Sequence, residues 1–181
     1  WIVDGKSNLS VREDSFYAAT GDLTASLSTP MTIEVAPGVT LSILVKDGAR
    51  LPLRRIVLPA TSTLNVYGQD GGSGTLVFSG VATREPIVGG IKADGCGTIN
   101  FHGPRAGFLS KLAPRLADTE ENALVRATAA LIGETSSTRE STGVFNVYRG
   151  QVALSCNGGC AIGGREAIKV NVFGGGISVR D

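Results

Sequence analysis

The sequence predicts an all-β fold in which the chain winds repeatedly into a stack of parallel strands, a β-solenoid. Three observations predict it. Four segments share an apolar-Asn-apolar-aromatic or His pattern: Leu64-Asn65-Val66-Tyr67, Ile99-Asn100-Phe101-His102, Phe145-Asn146-Val147-Tyr148 and Val170-Asn171-Val172-Phe173. This period-2 alternation recurs at coil-sized intervals, 23 residues from Leu41 to Leu64, 23 from Leu76 to Ile99 and 25 from Phe145 to Val170, as expected when each circuit adds one rung. The 25 glycines, well above the usual share of about 7%, cluster between the alternating runs, where turns need positive φ or a close backbone approach.

Taken in order, residues 1–30 are the least regular and are expected to cap the coil or to join it to another subunit, with Trp1-Ile2-Val3 and Leu9-Ser10-Val11 as short strands. An open coil end exposes unpaired strand edges, so such a segment has a physical task. Met31 to Val35 alternates, breaks at Pro37-Gly38, and resumes from Val39 to Val45 before Asp47-Gly48, which reads as strand, tight turn, strand. A longer duplication follows. Gly74 to Gly80, Ile87 to Gly90 and Gly97 to Gly103 are echoed by Gly143 to Gly150, Ala161 to Gly164 and Ile168 to Gly174. Between the two copies, residues 104–142 lose glycine and gain Ala, Leu, Glu and Arg. Asp118 with Glu121 has the form of a capping box, Leu124, Ala127 and Leu131 follow at helical spacing, and Gly133 is a stop, so a helical insertion packed on the flank of the coil is expected. A shorter turn carrying Leu109, Leu112 and Leu116 precedes it.

With 181 residues, 42% hydrophobic and 18% charged, the chain can bury one sizeable core and is expected to form a single domain over 1–181. A net charge of +1 and no basic tract disfavour nucleic-acid binding. No apolar run approaches the roughly 20 residues that cross a bilayer, so no membrane insertion is expected. A chain opening at Trp1 is expected to be a mature form after signal removal or a piece of something longer.

The succession Gly-Thr-Leu/Ile, Ile-x-Gly-Gly or Ile-Gly-Gly, and Cys-Gly-Thr-Ile, seen in Gly74 to Gly80, Ile87 to Gly90 and Cys96 to Ile99, resembles the glycine-rich repeats of bacterial and protist cell-surface proteins. Some of these are described as adhesin-like or carbohydrate-binding-domain-containing. The likeness covers about Thr32 to Gly103 and Gly143 to Val179. It implies a right-handed parallel β-helix in an extracellular, surface-attached setting with a structural or adhesive role, and it supplies no catalytic residue.

In each pentad the apolar residues point into the coil, so alternation sends two rows outward, Asn65, Asn100, Asn146 and Asn171 in one and Tyr67, His102, Tyr148 and Phe173 in the other. In register, the amides stack about 4.8 Å apart. Strands such as Leu76-Val77-Phe78-Ser79 interrupt the rows if they intervene. The aromatic row has three readings: it is covered by the helical insertion, it contacts another subunit, or it forms a sugar-stacking platform for a glycan. These eight residues are the candidate binding or assembly face. Cys156 and Cys160 are a candidate disulfide, Cys96 pairing with either is an alternative, and three buried thiols are a third. Asn8-Leu9-Ser10 has the form of a glycosylation acceptor at Asn8, and Arg50, Arg54 and Arg55 read as a charged exposed loop.

The expected function is a structural or adhesive module that self-assembles through coil ends or the aromatic row into a surface filament, sheath or adhesin, with no cofactor. A carbohydrate-binding module is the alternative. A pectate-lyase-like polysaccharide-degrading enzyme is the second alternative and requires converging carboxylates from among Asp47, Asp70, Glu85, Asp94 and Glu166, or a partner for His102 as a base. No metal site is read, since the three cysteines and the one histidine lack zinc-ligand spacing.

Overall fold

The computed structural model describes residues 8–23, 30–80, 86–90, 95–110, 130–134, 143–155, 160–163 and 168–180. Among these residues all regular structure is β. The strands are β1 (Leu9–Val11), β2 (Ser15–Ala19), β3 (Met31–Val35), β4 (Thr40–Val45), β5 (Arg50–Val57), β6 (Thr63–Gly68) and β7 (Thr75–Gly80). They continue with β8 (Val88–Gly90), β9 (Thr98–Ser110), β10 (Ala130–Glu134), β11 (Val144–Ser155), β12 (Cys160–Gly163), β13 (Lys169–Val172) and β14 (Gly176–Arg180).

Every pairing is parallel, and the registers sort the strands into three faces. Face I stacks β2, β4, β6, the first part of β9, the first part of β11 and β13. Face II stacks the first part of β5, β7, the second parts of β9 and β11, and β14. Face III stacks β1, β3, the second part of β5, β8, β10 and β12. The chain visits the faces in one order, III then I then II, rung after rung. Because β5, β9 and β11 run through a corner from one face to the next, the faces join into one continuous sheet. This arrangement is consistent with a β-solenoid.

The interior explains why these residues form these strands. Leu41, Leu64, Ile99 and Phe145 occupy one inward column of face I, and Ile43, Val66, Phe101 and Val147 the next. Ile33, Ile56, Val88 and Ile132 do the same on face III. All are buried, and each such side chain removed from water stabilises by about 1.5–3 kcal/mol. A one-residue slip would turn a whole column outward, so register is strongly specified.

Turns are tied across rungs by side chains that reach the next circuit, 22 to 26 residues away. Asn8 Oδ1 accepts the Thr32 N–H, Thr61 Oγ1 accepts that of Gly38, Asp14 Oδ1 that of Thr40 and Gln69 Oε1 that of Asp47. Asp47 Oδ1 in turn accepts the Ser73 N–H at 3.0 Å. On face III the close approach is between backbones. Gly89, Gly133 and Gly163 pair in one column with φ of 147, 146 and 122, and a Cβ on Gly89 or Gly133 would lie 1.7 Å from the carbonyl oxygen of the next glycine. Only glycine fits there.

Several sequence expectations are corrected here. Residues 104–110 of the expected helical insertion are strand, the continuation of β9, and residues 130–134 are β10. Leu109 therefore lies in a strand, as does Leu131, and Gly133 belongs to the glycine column rather than a helix stop. The physical reason is tertiary: Ile132 fits the interior column between Val88 and Ile162, and this outweighs a local pattern that also suits a helix. Residues 111–129, with Leu112, Leu116, Asp118, Glu121, Leu124 and Ala127, and residues 135–142 lie outside the described residues.

The 23-residue interval from Leu76 to Ile99 does not mark one rung, since Leu76 pairs with Ala106 on face II while Ile99 pairs with Leu64 on face I. Gly74 to Gly80 and Gly143 to Gly150 likewise sit on different faces, whereas the other two echoed pairs do share faces. Arg50, Arg54 and Arg55 belong to strand β5, around its corner, not to a loop. In the N-terminal stretch, β1 and β2 form an ordinary first rung on β3 and β4. Trp1-Ile2-Val3 lies outside the described residues.

Candidate functional site

The four pentads stand on consecutive rungs of face I, with Asn65↔Asn100, Asn100↔Asn146 and Asn146↔Asn171 in register. Face II carries Leu76-Val77-Phe78-Ser79, so nothing interrupts the rows. The amides form a directed ladder. Nδ2 of Asn171 donates to Asn146 Oδ1 at 2.7 Å, Asn146 to Asn100 at 2.8 Å and Asn100 to Asn65 at 2.9 Å, and Asn65 ends the series on Ser42 Oγ at 3.3 Å. All four are half-buried, where a satisfied amide is worth about 1 kcal/mol and an orphaned one costs more.

Beside them the rings stack. Centroid separations are 5.0 Å for Tyr67 and His102, 4.5 Å for His102 and Tyr148, and 4.9 Å for Tyr148 and Phe173, with interplanar angles of 11°, 2° and 11°. Each inner ring gives both faces to its neighbours, so the row turns ring edges outward. The two terminal rings, Tyr67 and Phe173, each have one face with no stacked ring among the described residues, and Phe173, at 68% exposure, is the more exposed.

Arg149 is a contributor that the pentad pattern does not single out. The pairing shifts between Val147 and Arg149, so that Arg149 rather than Tyr148 pairs with His102, a β-bulge. The Arg149 guanidinium donates to Asp70 Oδ1 at 2.8 Å and to the Gly68 carbonyl at 3.2 Å, bracing the ladder's edge against an earlier turn. The signal is visible in the sequence: glycine directly follows Tyr67, His102 and Phe173, but Arg149 stands between Tyr148 and Gly150. Partial burial, and after it the charge of Arg149, lowers the His102 pKa below its ordinary value of 6.5.

The last rung has a distinct surface. Val170, Val172 and Val179 occupy the inward columns of Phe145, Val147 and Leu154. They are nevertheless 40%, 52% and 55% exposed, against 1%, 0% and 1% for the residues they follow. At the other end Leu9, Tyr17 and Leu23 are only partly buried against the core.

The remaining candidates are placed as follows. Asn8 is exposed, with its Oδ1 engaged by Thr32. Cys96 is buried, its Sγ 3.5 Å from the Gly97 carbonyl. Cys156 lies outside the described residues, so the Cys156/Cys160 pairing does too. Asp47 holds a turn and Asp70 holds Arg149, while Glu85, Asp94 and Glu166 lie outside the described residues. Among the described residues no three His, Cys, Asp or Glu side chains converge as metal ligands, and no helix is long and apolar enough to cross a membrane.

Comparison of the chain with protein-family models, with curated proteins and with solved structures finds no match in any of the three.

Proposed function

We propose that the chain is an extracellular structural or adhesive module, a right-handed parallel β-helix that builds into a surface filament, sheath or adhesin through its coil ends. The observation that carries this reading is the last rung, whose inward valines stand exposed where the preceding rung buries its own. Contiguous apolar surface of this kind marks a contact site, and an unpaired parallel edge beside it is a template for strand addition. The ladders support the same role. Stacked rings and chained amides stiffen one face along the coil axis, which suits a load-bearing element. No cofactor is required.

A glycan-binding reading has one observation in its favour, the exposed Phe173 ring and the adjoining Asn171 amide. The inner rings do not favour it, because a sugar stacks on a ring face and theirs are occupied. Size-exclusion chromatography and electron microscopy over a range of concentrations test the structural reading. Concentration-dependent polymers are expected, and a strictly monomeric protein at high concentration contradicts it. A glycan array tests the second reading, which a protein binding no glycan would end.

A further inference from the structure

We infer that the partner at the coil end is a second copy of this chain, its first rung seated on the last rung of the copy before it, head to tail and in the register that the columns already define. This rests on the assembly reading above and gives it a partner and a polarity.

Charge is the first support. Thr40, Thr63, Thr98, Val144 and Lys169 form one outward column of face I. Asp14 is the next residue down in that column, since Ser15 pairs with Leu41 and Asp14 Oδ1 accepts the Thr40 N–H at 2.7 Å. The column therefore begins on an exposed acid and ends on an exposed base. A copy added head to tail sets its Asp14 against Lys169, an acid against a base.

Apolar continuity is the second support. Counting along the registers, the columns that end on Ile162, Val172 and Ile177 are the ones that begin with Leu9, Tyr17 and Leu23. Partly buried on the first and last described rungs or, for Val172, exposed, these six side chains complete one another when the rungs meet. The edge of β13 would gain a parallel partner in β2 at the same step. Such an interface is heterologous, and one that does not close into a ring continues as an open filament. The amide and ring ladders do not cross the junction, because Phe16 stands in the column of Asn171 and Ala18 in that of Tyr67, from which the rings stack on to Phe173. The junction is thus weaker than a rung within the chain, and assembly should be reversible.

Cross-linking reads the polarity directly. Asp14→Cys and Lys169→Cys variants of the full chain are prepared separately, mixed, oxidised and compared with each variant alone and with the unaltered chain. Head-to-tail packing gives a covalent dimer in the mixture and not in either variant alone. A dimer from Lys169→Cys by itself means that last rungs meet each other, which overturns the proposed polarity and leaves the assembly reading standing. Polymers of the unaltered chain without any specific cross-link overturn the register in the same way, and absence of both polymers and cross-links overturns the two together. Because Asp14 also holds a turn, a second pair is needed. Lys169→Glu should weaken association at least about tenfold while Lys169→Arg retains it, and equal association of these two folded variants contradicts the inference.

Discussion

At the scale of single residues, the amide ladder is directional, and this determines what removing one member does. Asn100 both accepts from Asn146 and donates to Asn65, so Asn100→Ala leaves a half-buried donor and a half-buried acceptor without partners. A loss of about 1–3 kcal/mol in urea-induced unfolding is expected, and a smaller loss for Asn171→Ala, where only one bond is broken. His102 adds a pH dependence. Its folded-state pKa lies below 6.5, so the unfolded chain binds the proton more readily. The contribution to stability is then complete above about pH 6.5 and declines as pH falls through that value toward the lowered one. Thermal unfolding of the native chain and of His102→Phe between pH 5 and 8 checks it. The native chain should lose more stability on acidification, and identical pH profiles would remove His102 from the account.

At the scale of elements, the glycine column and the interior columns hold the rungs in register. A Cβ on Gly133 meets the Gly163 backbone at 1.7 Å, and backbone cannot move aside without breaking the β10 and β12 pairing. Gly133→Ala should therefore prevent folding of the later rungs, seen as loss of cooperative unfolding. At Gly38 nothing lies within 4 Å and only φ of 77 opposes a side chain, so Gly38→Ala should cost on the order of 1 kcal/mol.

These same features show which parts of the structure were legible in the sequence. The pentads were, because a period-2 pattern with a fixed polar residue names both the inward columns and the outward ladder. The assignment of Leu76 to a face was not, since interval counting cannot distinguish one face from another when rungs differ in length: Leu41 to Leu64 spans 23 residues and Ile99 to Phe145 spans 46. Residues 130–134 do not announce themselves as a strand for a related reason. Leu131 and Ile132 suit a helix locally, and only the column formed by Val88 and Ile162 makes the segment a strand.

At the scale of the whole molecule, the two ends differ in kind. One presents Asp14, Leu9 and Tyr17, the other Lys169, Val172 and Val179. The surface exposed along the inward columns of the last described rung gives the assembly reading its force. The most direct measurement is sedimentation velocity on the native chain and on Val172→Asp across a hundredfold range of concentration, with circular dichroism to establish that both are folded. The native chain should shift to larger species as concentration rises while the folded variant stays monomeric. A native chain that sediments as a single monomer throughout, or a variant that associates as well as it does, would contradict the account.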